Sequence, residues 1–130
     1  MRKSAAFTLI LAAAACTPSP PASVRPAALS PAWLAGGWVP QGENCASEAG
    51  IIYRSDGRWF ADGAAGTWRI AGDRIVSSLT ERWEDGVAVE RIASPASTTE
   101  RIQVTGPDSY VSRHQDGAVF RMGRCPSSPD

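Results

Sequence analysis

Turn residues punctuate this chain at short, even intervals, and that spacing limits what it can fold into. Asp-Gly occurs at Asp56-Gly57, Asp62-Gly63, Asp85-Gly86 and Asp116-Gly117, joined by Gly72-Asp73 and Gly106-Pro107-Asp108. Between these signals lie short runs rich in Val, Ile, Thr, Trp and Tyr, with no helical period of useful length. Asp-Gly supplies the left-handed backbone of tight hairpins, and β-branched and aromatic side chains suit a pleated, half-buried surface. Turn signals at roughly 8–12-residue spacing with such runs between them predict an antiparallel all-β domain. About seven to nine strands fit, enough for an up-and-down sheet to curl into a small barrel. One short helical turn precedes them, with Ser30 as N-cap, Pro31 at the first helical position and Gly36 as terminator.

Turn chemistry also assigns faces. With Ser55-Asp56-Gly57 as a three-residue hairpin loop, Tyr53 lies opposite Trp59 on one face, and Arg54 and Arg58 lie on the other. With Gly72-Asp73 as a two-residue turn, Ile70 pairs with Ile75. Alternation then puts Trp68, Ile70, Ile75 and Leu79 inward, and Arg69, Arg74 and Val76 outward. Val87 and Val89, Ile102 and Val104, and Phe120 and Met122 alternate similarly, and Ser94-Pro95 marks the longest loop. The same alternation carries Glu81 inward. An unpartnered buried carboxylate is costly, which leaves three alternatives: a register slip past Leu79, a strand leaving the core, or a partly polar interior.

The N-terminus reads as an address rather than as part of the fold. Met1-Arg2-Lys3-Ser4 is a basic opening, residues 5–15 are short and apolar, and Cys16 follows Ala13-Ala14-Ala15. Spanning a bilayer takes roughly 20 apolar residues, so residues 1–15 read as a cleaved export signal. The ending resembles the lipobox of bacterial lipoproteins, although Ala13 stands where that motif usually has Leu. The resemblance implies lipidation of Cys16 and, with Thr17 after it, the periplasmic face of the outer membrane. Cleavage after an Ala-x-Ala triplet is the alternative and implies a soluble periplasmic or secreted protein. Residues 16–31 are then a Pro-, Ala- and Ser-rich tether that reaches up to ~45 Å when extended. Residues 32–126 form the β-barrel domain, and 127–130 a disordered tail.

Cysteine and charge counts narrow the function. Of three cysteines, two remain once Cys16 is assigned to lipid. An oxidising compartment favours a Cys45–Cys125 disulfide, and these isolated cysteines lack metal-ligand spacing. The net charge is zero and the arginines are scattered along the sequence, which disfavours nucleic acid and polybasic membrane contact. The only histidine, His114, sits between Arg113 and Gln115 like an exposed strand end before a turn. Gly-x-Ser-x-Gly, His-Glu-x-x-His and phosphate-loop motifs are missing. Glu81, Glu84 and Asp85 read as solvent-facing charges, so no metal, cofactor or enzymatic activity is expected.

Five tryptophans are available for the core, of which Trp83, between Arg82 and Glu84, is the one expected at the barrel end, as an exposed rim contact or as a lid. Gly36-Gly37-Trp38 after a helical turn resembles the Gly-x-Trp opening of lipocalin-like barrels. That resemblance implies that the turn plugs one end of the barrel and that Trp38 packs under an arginine of the last strand, here Arg121 or Arg124. Small barrel inhibitors of lysozyme or metalloproteases fit less well, since the Ser-Gly-x-x-Tyr signature and the close cysteine spacing are missing. The expected function is a non-enzymatic, lipid-anchored binding module that contacts an envelope protein through rim loops near Trp83 and Ser94-Pro95. The alternative is a carrier of a small apolar ligand in an interior lined by Tyr53, Trp59, Trp68, Leu79 and Glu81. The distant alternative is a hydrolase, which requires His114 buried beside a serine or cysteine.

Overall fold

The computed structural model describes residues 28–126. The expected export signal, Cys16, the expected tether up to residue 27 and the tail 127–130 lie outside the described residues. A helical turn, α1 (Pro31–Leu34), leads into β1 (Gly36–Pro40), β2 (Ile51–Tyr53), β3 (Arg58–Ala61), β4 (Ala64–Ala71), β5 (Arg74–Arg82), β6 (Glu90–Arg91), β7 (Ser97–Gly106), β8 (Ser109–His114) and β9 (Val119–Arg124). Eight strands close into an antiparallel barrel in the order β1-β2-β3-β4-β5-β7-β8-β9, with β9 pairing back onto β1. β6 is a two-residue stub on the edge of β5. The all-β barrel read from the sequence is therefore the fold.

Local chemistry sets the elements where it was expected to. Ser30 Oγ accepts the Trp33 N–H at 3.1 Å and caps α1. Gly57 adopts φ +85°, so Tyr53 stands opposite Trp59. Across the Gly72-Asp73 turn, Ile70 stands opposite Ile75. The alternation expected at Val87 and Val89 does not form a strand. That stretch leaves the barrel before β6, and the two valines are 61% and 57% exposed. Only Glu90 and Arg91 rejoin β5, because β7 has already taken its partner edge lower down.

The barrel has two unlike ends. At the lower end, beside the turns after β2, β4 and β7, α1 acts as a plug. Leu34 is fully buried, and Trp33 packs on Trp38 and Tyr110 at ring separations of 5.1 and 6.3 Å. Above the plug, Trp38, Tyr53, Trp68, Ile75, Ile102, Tyr110 and Met122 complete the core. Burying each such side chain contributes about 1.5–3 kcal/mol. The Trp38 indole N–H donates to the Leu34 carbonyl at 2.8 Å, so no donor is left open there.

Arg124, not the exposed Arg121, covers Trp38. Its guanidinium lies 4.3 Å from the Trp38 ring centroid. The same group donates to the Trp33 carbonyl at 2.6 Å and the Ala35 carbonyl at 3.2 Å, joining the last strand to the plug. On the outer wall, a Cys45–Cys125 disulfide with a Cα–Cα distance of 5.7 Å ties the loop after β1 to the end of β9. A groove of about 300 Å³ lies under that loop, lined by Val39, Ile52, Phe60 and the disulfide.

Candidate functional site at the open end of the barrel

Among the described residues, no helical turn plugs the upper end of the barrel. Inward positions near the upper strand ends carry small residues, Ala61, Ala64, Gly66 and Thr98, where the lower half has aromatics. Gly66 is required there, because a Cβ on it would stand 2.6 Å from the indole nitrogen of Trp59. Solvent reaches inward-facing side chains at this end. Phe120, one alternation above buried Met122, is 44% exposed, and Leu79 and His114 are half-exposed.

The floor of this mouth is polar. Glu100 stands opposite core residue Ile75 on one neighbouring strand and opposite His114 on the other, so its side chain enters the barrel. Its carboxylate lies 3.4 Å from the His114 Nε2 and is only 18% exposed. It also accepts a hydrogen bond from Ser112, itself buried. Burial pushes the Glu100 carboxyl above its usual range, while His114 and the Ser112 hydroxyl oppose that shift. Below it, Tyr53 donates to Tyr110. Burial raises both phenols, which therefore stay neutral, and the Glu100 charge adds to the effect on each. The His114 ring packs edge-on against Phe120 at 4.8 Å.

The interior residues named from the sequence divide into three groups. Tyr53 and Trp68 are buried core side chains in mutual contact, with ring centroids 5.4 Å apart. Trp59 and Leu79 are half-buried in the upper wall, and the Trp59 indole N–H is buried without a partner among the described residues. Glu81 is not inside. The register between β4 and β5 shifts beside Gly66, which opposes Leu79 while Ala65 opposes Glu81. Thr80 is the extra residue of this β-bulge, and it turns Glu81 to the outer face. There the Glu81 carboxylate lies 3.9 Å from Arg58, whose guanidinium covers Phe60 at 4.9 Å. The costly buried carboxylate is thereby avoided at Glu81.

Trp83 is half-buried at the end of the barrel. Its backbone N–H donates to the Gly63 carbonyl at 2.9 Å, which draws the start of the loop against the neighbouring hairpin. Glu100 escaped the sequence reading, although alternation from Ile102 points to it. Likewise, alternation from Tyr110 through Ser112 places His114 at the mouth. In this cluster the carboxylate lies beside both the imidazole and the buried Ser112 hydroxyl. The arrangement suits holding a donor or cation. Among the described residues, no group of three or more His, Cys, Asp or Glu side chains is placed to hold a metal ion. No family model matches this chain, and neither does any curated protein or solved structure.

Proposed function

We propose that this protein is a non-enzymatic binding module that takes a protein partner at the upper mouth of its barrel. In this reading the Cys16 anchor and the tether hold the barrel at the periplasmic face of the outer membrane. One observation carries the reading. The lower end is closed by α1, while Val87, Val89, Val119 and Phe120 stand exposed at the upper end. Exposed apolar side chains gathered at one end, among charged loop residues, are what a protein-contact rim requires.

A photo-crosslinking amino acid placed at Val87, Val89 or Phe120, in the cells that make the protein, tests this. Discrete adducts from these positions and none from Ala32 on the plug are the expected outcome. Adducts of equal yield from both ends, or none from either, overturn it.

Glu100 favours a second reading, in which a small ligand sits in the mouth. A purely apolar carrier would bring its cargo against a carboxylate. An amphipathic amine would place its cation there, among Trp59, His114 and Phe120. A thermal upshift with an alkylammonium ion but not with the matching fatty carboxylate supports this reading, and equal responses to the two reject it.

A further inference from the structure

The arginines scattered in the sequence are not scattered on the surface. Arg74 of β5 stands directly opposite Arg101 of β7, and Arg101 directly opposite Arg113 of β8. All three alternate with inward residues, namely Ile75, Ile102 and Ser112, so they form one row across the outer wall. Arg69 and Arg121 are exposed on the same outer wall, on β4 and β9. Among the described residues, Asp73 is the one carboxylate paired with any of the five, at 3.8 Å from Arg74 and 3.5 Å from Arg101. Like charges directly opposite on a sheet destabilise it. A fold that keeps three in a row has a compensating use for them, since breaches of local rules gather at functional sites.

We propose that this row binds the phosphate groups of an anionic lipid surface. The chemistry of the donors selects phosphate. Adjacent strands hold the Arg101 and Arg113 backbones about 5 Å apart, close enough for two guanidinium forks to converge on one anion. A phospholipid phosphodiester holds its two non-ester oxygens in a tetrahedral array that two forks can approach from different sides, whereas a planar carboxylate presents both oxygens to a single fork. Between Arg101 and Arg113 lies a depression of about 260 Å³, lined also by Asp73, Ile102, Gln103 and Val111. It holds a single anionic group and has no aromatic wall for the body of a soluble phosphorylated molecule. On a convex barrel wall the guanidinium groups reach a headgroup layer without a cleft. Val119, opposite Arg113 and 46% exposed, ends the row with an apolar contact. The membrane is also the surface that the proposed tether keeps within reach.

The full chain carrying Cys16→Ser isolates the domain's own affinity from any lipid anchor. Its co-sedimentation is read with vesicles of phosphatidylcholine alone and of phosphatidylcholine containing phosphatidylglycerol. Binding is expected only to the anionic vesicles and weakens with salt. A basic residue at such a surface contributes about fivefold, so Arg101→Gln with Arg113→Gln weakens binding by about thirtyfold. Arg54→Gln with Arg91→Gln removes the same charge elsewhere and changes binding by less than about threefold. The row variant is also expected to melt no lower than its parent, because it removes like-charge repulsion. Equal losses from the two double variants would show a net-charge effect and overturn the site. So would an absence of vesicle binding, and binding of inorganic pyrophosphate without vesicle binding would reject the membrane as its source.

Discussion

Arg124 lies over Trp38 with its guanidinium 4.3 Å from the ring centroid, while its nitrogens hold the carbonyls of Trp33 and Ala35. One side chain thus combines cation–π stacking, two charge-assisted hydrogen bonds and a 2.9 Å ion pair with Asp108. It fastens the first and last strands to the plug. Removing it leaves two carbonyls under-satisfied and exposes the Trp38 face.

Arg124→Ala is therefore expected to destabilise the domain by about 2–4 kcal/mol. Arg124→Lys recovers less than half of that, since an ammonium lacks the fork that reaches both carbonyls. Denaturant midpoints with unchanged slopes check both variants. A shift below about 0.5 kcal/mol for Arg124→Ala contradicts the fastening role.

Gly66→Ala is expected to cost about 1–3 kcal/mol by overpacking. The added methyl meets the Trp59 indole and the Ser78 carbonyl across the bulge. Gly123→Ala is the control. Its Cβ meets only Gln41 at 3.8 Å, an ordinary contact, and near-neutral stability is expected.

Glu100→Gln is expected to raise stability at neutral pH, with a sign that depends on pH. The folded carboxyl titrates above its ordinary value because it is buried. Its contribution to stability is fully present below the unfolded value of about 4.3 and is lost as pH rises through the folded value. The variant mimics the protonated form, so its advantage at pH 7 shrinks as the pH approaches 4. Melting temperatures of the two proteins across that range provide the check. A gap that widens on acidification rejects a buried, raised Glu100.

Breaking the Cys45–Cys125 bond frees a crosslink between residues 80 positions apart. The chain-entropy relation puts its stabilisation at about 4 kcal/mol. A Cys45→Ala, Cys125→Ala variant should unfold at a correspondingly lower denaturant concentration with α1 and the Trp38 environment intact. Near-ultraviolet circular dichroism reads that environment directly.

The hairpins were legible because their chemistry is local. Asp56-Gly57 places Tyr53 against Trp59, and Gly72-Asp73 places Ile70 against Ile75, whatever the rest of the chain does. Val87 and Val89 misled for the opposite reason. Alternation alone does not supply a partner strand, and β7 already occupies that edge of β5. Glu81 shows the limit within one hairpin. Strict period two puts it inward, and a single extra residue at Thr80 turns it out, which is the register slip past Leu79 that the cost of a buried carboxylate suggests. Glu100 lay on a face that alternation marks as inward, but nothing in its neighbours shows that a barrel mouth leaves that position within reach of solvent.

By itself, the sequence determined the all-β class, the capped turn that enters β1, the two tight hairpins and the cysteine pair available for a disulfide. These follow from backbone preferences and residue chemistry over a few positions. Barrel closure decided the rest. It set Arg124 rather than Arg121 over Trp38, turned Glu81 outward, gathered Glu100, Ser112 and His114 at one mouth, and aligned Arg74, Arg101 and Arg113. Each depends on register, between strands distant in the chain for Arg124 and for Arg74 with Arg101, and within the β4–β5 and β7–β8 pairs for Glu81 and the Glu100 cluster. Register is settled by the fit of whole faces and by the stagger needed to close eight strands, a constraint that no local segment carries.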